Sequence, residues 1–164
     1  MRRIPKYVAA LVIVLTLIGC DQTTKYIAKR NLPNSRSTQY VGGLVKFQFV
    51  ENEGGFLSLG SGLPVTLRKS IAIILTFVTL VGFTVLLYFA PGMKISILVS
   101  FSMLVGGAFG NLVDRLINQG RVIDFIILGT TTVHTGIFNV ADVTLTLGSL
   151  MLIFLPLFQR KSSV

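Results

Sequence analysis

Long apolar runs separated by short polar breaks dominate the chain. Ser70 to Ala90, SIAIILTFVTLVGFTVLLYFA, contains no charged residue, and neither does Ile95 to Val113, ISILVSFSMLVGGAFGNLV. Each has the roughly 20 apolar residues that carry an α-helix across the hydrocarbon core of a bilayer. Pro91-Gly92 between them is a turn signal, so the two helices are expected to be antiparallel neighbours. Val143 to Phe158 is short by itself. It reaches spanning length if the helix opens at Asn139, which places Asp142 just inside the membrane end.

The first apolar run, Tyr7 to Cys20, supports two readings. With Arg2, Arg3 and Lys6 before it, it has the layout of a secretory signal ending in a lipobox, with Cys20 awaiting a lipid. Alternatively the helix continues through Tyr26-Ile27-Ala28. Asp21 and Lys25 then fall at i and i+4 on one face, with the acid N-terminal, the better order for pairing. A lipoprotein normally continues into a soluble domain, whereas three more apolar spans follow here, which favours the second reading. The expected fold class is an all-α membrane protein, a single integral membrane domain over 1–164, with four transmembrane helices at about 7–28, 70–90, 95–114 and 139–158. A small extracytoplasmic β-hairpin or strand subdomain is expected at about 29–69. Its centre, LVKFQFVENEGGFLSLGSG, alternates Val45, Phe47 and Phe49 against Lys46 and Gln48 before turning at Asn52-Glu53-Gly54-Gly55. It would lie on the membrane surface, either as a lid or in contact with a substrate.

Composition agrees with a membrane setting: 52% of residues are hydrophobic and only 13% charged, and the mean hydropathy is +0.77. The net charge of +9 is scattered over termini and connections, with no basic helix face or RNA-binding aromatic motif. It therefore points to membrane lipids with anionic headgroups as partners, and not to nucleic acid. The basic termini place both ends in the cytoplasm under the positive-inside rule, in which long loops weigh little. One cysteine and one histidine leave no internal disulfide and no Cys- or His-based metal centre, so no metal or cofactor is expected.

With six acids in the chain, each can be weighed. Ionisable groups inside membrane segments are costly enough to be functional candidates. GGAFGNLVDR, residues 106 to 115, sets Gly106 and Gly110 as a small-xxx-small face for close helix approach. It also places Asn111 and Arg115 one turn apart at the membrane boundary; the plainer reading is that Asp114 and Arg115 merely mark the interface. GRVIDFIILG, residues 120 to 129, holds Asp124 as the only acid of an apolar run too short to span. That run is a strand or re-entrant piece near the bilayer, where desolvation raises the carboxyl's pKa. FNVAD, residues 138 to 142, has Asn139 as an N-cap and Asp142 at N3, where the helix dipole favours a negative charge. It could equally be no more than a helix start. Two carboxyls whose environments push their ionisation apart are what aspartic proteolysis requires: one activates water and the other protonates the scissile carbonyl. Among competing nucleophiles, Cys20 and His134 lie in separate parts of the topology, and Lys69 beside Ser58 and Ser70 has no evident buried site to activate it. A proton-coupled transporter or channel would show repeats or a polar stripe through the membrane, and neither is present.

DQTTK at 21–25, ENEGGFLS at 51–58, GGAFGNLVDR at 106–115, VIDF at 122–125 and FNVAD at 138–142, in that order over nearly the whole chain, resemble the bacterial lipoprotein signal peptidases, or signal peptidase II. The resemblance implies a metal-independent aspartyl protease of the bacterial plasma (inner) membrane, with its active site toward the extracytoplasmic side. It would cut diacylglyceryl-modified prolipoproteins on the N-terminal side of the lipidated cysteine. Asp124 and Asp142 would be the catalytic dyad. Asn52, Asn111, Arg115 and Asn139 would contact the substrate backbone or inhibitors such as globomycin, and Asp21, Lys25 and Asp114 would be architectural. A monomer is expected. The Gly54-Gly55 pair departs from the Gly-Ala often found in the family. On this resemblance LTLIGCDQTTK is a transmembrane helix of an enzyme that cleaves lipoboxes, and Cys20 is an ordinary helix residue.

Overall fold

The computed structural model describes residues 3–32, 36–53, 62–89 and 92–159. Gly54, Gly55, Ser58 and Pro91 fall outside these ranges. The elements run α1 (Arg3–Asn31), β1 (Thr38–Tyr40), β2 (Val45–Asn52), α2 (Val65–Phe89), α3 (Ile95–Ile117), β3 (Val122–Leu128) and α4 (Val140–Gln159). Within α1, α2 and α3, the segments Lys6–Asn31, Val65–Leu86 and Ile95–Ile117 are long and apolar enough to cross a membrane. The 20 residues of α4 extend about 30 Å, enough for a hydrocarbon core. Large apolar side chains such as Leu11, Leu15, Ile74, Phe77, Val78 and Ile153 are exposed around the helices, as expected where the solvent is lipid.

Helix α3 is the hub: α1, α2 and α4 all pack against it. Glycines set how closely. A Cβ on Gly106 would lie 3.0 Å from Leu17 Cβ on α1, and one on Gly110 would lie 2.6 Å from Asp21 Oδ2. Gly107, on a neighbouring face, does the same for α4: a Cβ there would stand 2.5 Å from Thr144 Oγ1 and 2.7 Å from the Ala141 carbonyl oxygen. Backbone cannot yield as a flexible side chain would, so Gly107→Ala is expected to cost about 1–3 kcal/mol as an overpacked contact. Thermal unfolding in detergent reads it; an unchanged midpoint would show that α4 shifts freely against α3. The buried hydroxyls of Ser100 and Ser102 donate to the carbonyls of Ser96 and Leu98 at 2.8 and 2.9 Å. Their polarity is thereby satisfied inside the helix.

The three strands form one antiparallel sheet in the order β1-β2-β3. β2 thus pairs on one side with β1, within the 29–69 segment, and on the other with β3, a strand that follows α3. A register irregularity between Phe47 and Val50 breaks the simple alternation. Lys46, which the alternation places on the polar face, is buried, and its ammonium donates to the Thr130 carbonyl at 2.9 Å. β3 is buried from Val122 to Phe125 and again at Ile127, as a strand covered on both faces should be. After β3 the chain returns alongside it. Phe138 exchanges backbone hydrogen bonds with Ile126, its N–H donating at 3.0 Å and its carbonyl accepting at 2.9 Å. This return delivers Asn139 and the start of α4 beside Asp124.

Candidate active site

The opening of α4 satisfies its own free amides. Asn139 Oδ1 accepts the Asp142 N–H at 2.9 Å, and Asp142 Oδ2 accepts the Asn139 N–H at 3.1 Å. This is a reciprocal capping box in which Asp replaces the usual Glu or Gln. Because the Asn139 oxygen is engaged in the cap, its amide NH2 is directed elsewhere. It donates to Asp124 Oδ1 at 2.6 Å and approaches Asn111 Oδ1 and the Ile123 carbonyl at 3.2 and 3.3 Å. Asn139 is wholly buried and touches both carboxyl groups, one through its side chain and one through its backbone.

The sheet register supplies the next contact. Val50 lies opposite Asp124 and Asn52 opposite Val122, so Asn52 and Asp124 are diagonal neighbours on one face. Asn52 Nδ2 donates to Asp124 Oδ2 at 2.8 Å. Arg121 holds this edge through ion pairs to Glu51 at 3.0 Å and Glu53 at 3.1 Å. Burial is the largest influence on Asp124 and pushes its carboxyl from 3.8 up to about 6; the hydrogen bonds from Asn52 and Asn139 and the charge of Lys25 oppose the rise, and the charge of Asp142 adds to it.

Beneath the two carboxyls lies a charged knot. Lys25 Nζ is 2.8 Å from Asp21, 3.0 Å from Asp114 and 2.9 Å from Asn111 Oδ1. With its oxygen held by Lys25, Asn111 turns its NH2 to Asp142 Oδ1 at 2.9 Å. Asp21 Oδ1 accepts the Ala141 N–H at 2.9 Å, occupying another free amide of α4. Asp114 Oδ2 accepts the Ile123 N–H at 2.9 Å, fixing the residue next to Asp124. The knot therefore holds both strands of backbone that carry the acids. Arg115 donates to the Asn111 carbonyl at 3.3 Å, and its guanidinium feels the charges of Asp142, Asp124 and Asp114.

The nine residues singled out from sequence, Asp21, Lys25, Asn52, Asn111, Asp114, Arg115, Asp124, Asn139 and Asp142, thus form one connected group. Gln22 belongs to it as well: its amide donates to Asp21 and Asp114 and to the Gly110 carbonyl at 3.2, 3.0 and 3.0 Å. Its position beside Asp21 in an otherwise apolar helix was the available signal. Cys20 is exposed within the uninterrupted α1. His134 is exposed in the β3–α4 connection, with Nδ1 2.8 Å from the Thr135 carbonyl. Among the described residues no three His, Cys, Asp or Glu side chains group as a metal site. Beside Asp142 lies an apolar hollow of about 310 Å³, lined by Thr135, Gly136, Phe138, Val143, Thr146 and Leu147.

Residues 13–158 match the sequence pattern of the family described as Signal peptidase (SPase) II. The chain is 33% identical over 154 residues to the lipoprotein signal peptidase of Chlorobium phaeobacteroides, covering 88% of this chain and 90% of that one. It is 34% identical over 146 residues to that of Caldicellulosiruptor bescii, with 89% of each covered. Two solved structures, each described as a bacterial membrane enzyme, superpose with TM-scores of 0.76 and 0.71 at 25% and 26% identity. They cover 94% and 91% of this chain, and 90% and 92% of their own. The sequence match over nearly the whole chain, with a superposition of the whole fold, makes this a member of the signal peptidase II family: a multi-pass peptidase of the bacterial inner membrane that removes signal peptides from lipoproteins.

Proposed function

We propose that this peptidase is a metal-independent aspartic endopeptidase, with Asp124 and Asp142 sharing one proton and one attacking water. The observation that carries the reading is Asn139, whose NH2 donates to Asp124 while its backbone N–H donates to Asp142. Two acids bracketed by one buried residue are held as a pair. In the proposed reaction the ionised carboxylate takes a proton from water as its oxygen bonds to the scissile carbonyl carbon. The protonated partner gives its proton to the carbonyl oxygen. Collapse of the tetrahedral intermediate breaks the C–N bond: the proton taken from water passes to the departing amine, and a hydroxyl proton of the intermediate returns to the acid that had protonated the carbonyl oxygen, restoring the shared proton. The products are a signal peptide ending in a carboxylate and a lipidated cysteine with a free α-amine. The shared proton belongs to the pair, since coupled carboxyls titrate as a unit.

The cut falls on the N-terminal side of a cysteine already carrying diacylglycerol, and the apolar hollow beside Asp142 is wide enough for an apolar part of such a chain. Asn52 and Arg115 would meet the substrate backbone once it displaces their present partners, with Asn111 and Asn139 orienting the acids. The enzyme acts as a monomer, with both termini cytoplasmic and the sheet and acids on the extracytoplasmic side. Globomycin would occupy the same cleft. The test is incubation of the purified protein with a diacylglyceryl-modified prolipoprotein. Cleavage before the lipidated cysteine is expected, blocked by globomycin, unaffected by chelator and retained by Cys20→Ser. Chelator-dependent loss, or a cut elsewhere, overturns the proposal.

A pH dependence follows from Asp124. With its pKa near 6, kcat/KM is expected to fall as pH rises through about 6 and both acids ionise. The limb in kcat should lie higher, because bound substrate excludes more water from the pair. Stability has the same sign. Between 3.8 and about 6 the folded protein keeps a proton that the unfolded chain has released. The Asp124 contribution is therefore complete below that window and lost above it. A kcat/KM profile flat from pH 5 to 8, ordinary assay limits for a carboxyl poised near 6, would remove Asp124 from the reaction.

A further inference from the structure

Five large apolar side chains crowd one end of the sheet and stand open to the surroundings: Tyr40 is 53% exposed, Val41 71%, Leu44 50%, Leu128 42% and Val133 76%. They come from two turns, one joining β1 to β2 and the other leaving β3, and the turns touch. Val45 pairs with Tyr40 on one side and with Leu128 on the other, and the Gly129 N–H donates to the Leu44 carbonyl at 2.8 Å. None of the five belongs to the connected group around Asp124 and Asp142. An exposed apolar cluster of this kind marks a contact surface. The backbone at Val41 sharpens the point: its φ is +50°, in the left-handed region that β-branched side chains avoid and glycine enters freely. A valine strained in this way gains something for the protein only where its side chain leaves water.

Level, charge and hydrogen bonding select lipid as the partner. The return after β3 runs beside α4 instead of standing away from it, since Thr135 and Gly136 line the same hollow as Val143 and Leu147. Leu147 lies about 12 Å down the helix from Asn139, at ~1.5 Å per residue. Val143 and Leu147 are themselves 37% and 46% exposed, part of the lipid-facing belt, so the apolar end of the sheet continues that belt. Ser37 to Val45 and Phe125 to Ala141 contain no Asp, Glu, Lys or Arg, and the adjoining Lys46 turns inward onto the Thr130 carbonyl at 2.9 Å. Nothing there resists hydrocarbon as an ion would. The turns also close on themselves: the Leu44 N–H donates to the Val41 carbonyl at 3.2 Å, the Thr130 N–H to the Val133 carbonyl at 2.8 Å and the Val133 N–H to Thr130 Oγ1 at 3.0 Å. Backbone satisfied in this way can leave water. We propose that the two turns form an apolar finger inserted among the acyl chains of the leaflet on the sheet side, so that hydrocarbon, and not headgroup charge, holds the far end of the sheet. This carries the surface position expected of the 29–69 segment to a turn outside it, and it needs no assumption about the catalytic acids.

The chain contains no tryptophan, so a single introduced indole reports its own surroundings. The test is fluorescence of full-length Leu44→Trp and Val133→Trp, one from each turn, reconstituted in phosphatidylcholine vesicles. Both are expected to lose most of their emission when the lipid is brominated near the top of its acyl chains, and little of it to aqueous iodide. Leu150→Trp, at an exposed side chain within α4, gives the reference for an indole in hydrocarbon. Adding Val41→Asp to either variant should reverse the pattern, because a carboxylate at the tip resists the acyl layer. Replacing part of the lipid with anionic phosphatidylglycerol should change nothing, as the two turns carry no formal charge. Probes open to iodide and indifferent to brominated lipid overturn the proposal. So do probes shielded from both quenchers, which would place protein over the turns, and quenching that requires the anionic lipid. Should Leu44→Trp fail to fold, Val133→Trp, at the more exposed side chain, still decides.

Discussion

Asp124→Asn and Asp142→Asn are each expected to lower prolipoprotein cleavage by about 10³-fold or more, since paired groups that act as a unit fail together. The two variants should nevertheless differ in stability, and the hydrogen-bond network says which way. At position 124 the new amide can keep its oxygen toward the Asn139 NH2 and turn its own NH2 toward Asn52. Asn52 is only half-buried, so water can meet a group left over there. At position 142 no such adjustment exists. One oxygen receives a backbone N–H from Asn139, which cannot reverse, so the new NH2 must face the Asn111 NH2. Asn111 cannot flip either, because its oxygen is held by Lys25. Two donors are left opposed in a buried place, at about 1–3 kcal/mol. Thermal unfolding of both variants in one detergent is the measurement. Normal turnover by either variant removes it from the dyad, and equal unfolding midpoints would contradict the assigned amide orientations.

Lys25→Met is expected to be among the most damaging substitutions outside the proposed dyad. Lys25 and Asp21 are each 1% exposed, and Asp114 is also buried. Removing the ammonium strands two carboxylates, which costs about 3–5 kcal/mol in a buried site. It also releases the Asn111 oxygen, so cleavage should fall beyond what unfolding explains. Neutralising the whole knot separates charge from packing. In the triple variant Asp21→Asn, Lys25→Met, Asp114→Asn, the new amide oxygens can still accept the Ala141 and Ile123 N–H groups. Much of the lost stability should therefore return. If Lys25→Met unfolds at the wild-type temperature, or the triple variant is no better, the knot does not hold the site by charge.

What could be read from the sequence was local. The i, i+4 spacing of Asp21 and Lys25 and the Asn139 to Asp142 helix opening each depend on a few consecutive residues, and both appear as hydrogen-bonded pairs. Asp124 was conspicuous because a lone acid in an apolar run needs a reason. The contacts that were not legible are long-range. Asn52 and Asp124 are 72 positions apart, and nothing in either segment announces that β2 pairs with β3. Alternation puts Lys46 on a polar face, yet it is buried, its ammonium met by the Thr130 carbonyl from a segment 84 positions away. Gly106 and Gly110 were recognised as a close-packing face, whereas Gly107 was not, because a second helix using the adjacent face leaves no mark in a spacing rule.

Asn139 carries a consequence for how freely this chain can vary. In an ordinary helix the opening position accepts serine, threonine, aspartate or asparagine with small differences. Here only asparagine offers an oxygen to its own helix and two hydrogens to a neighbour on a different strand. Serine or aspartate could begin α4 equally well and would leave Asp124 without its shortest contact, so a substitution invisible to the scaffold would release one member of the proposed dyad.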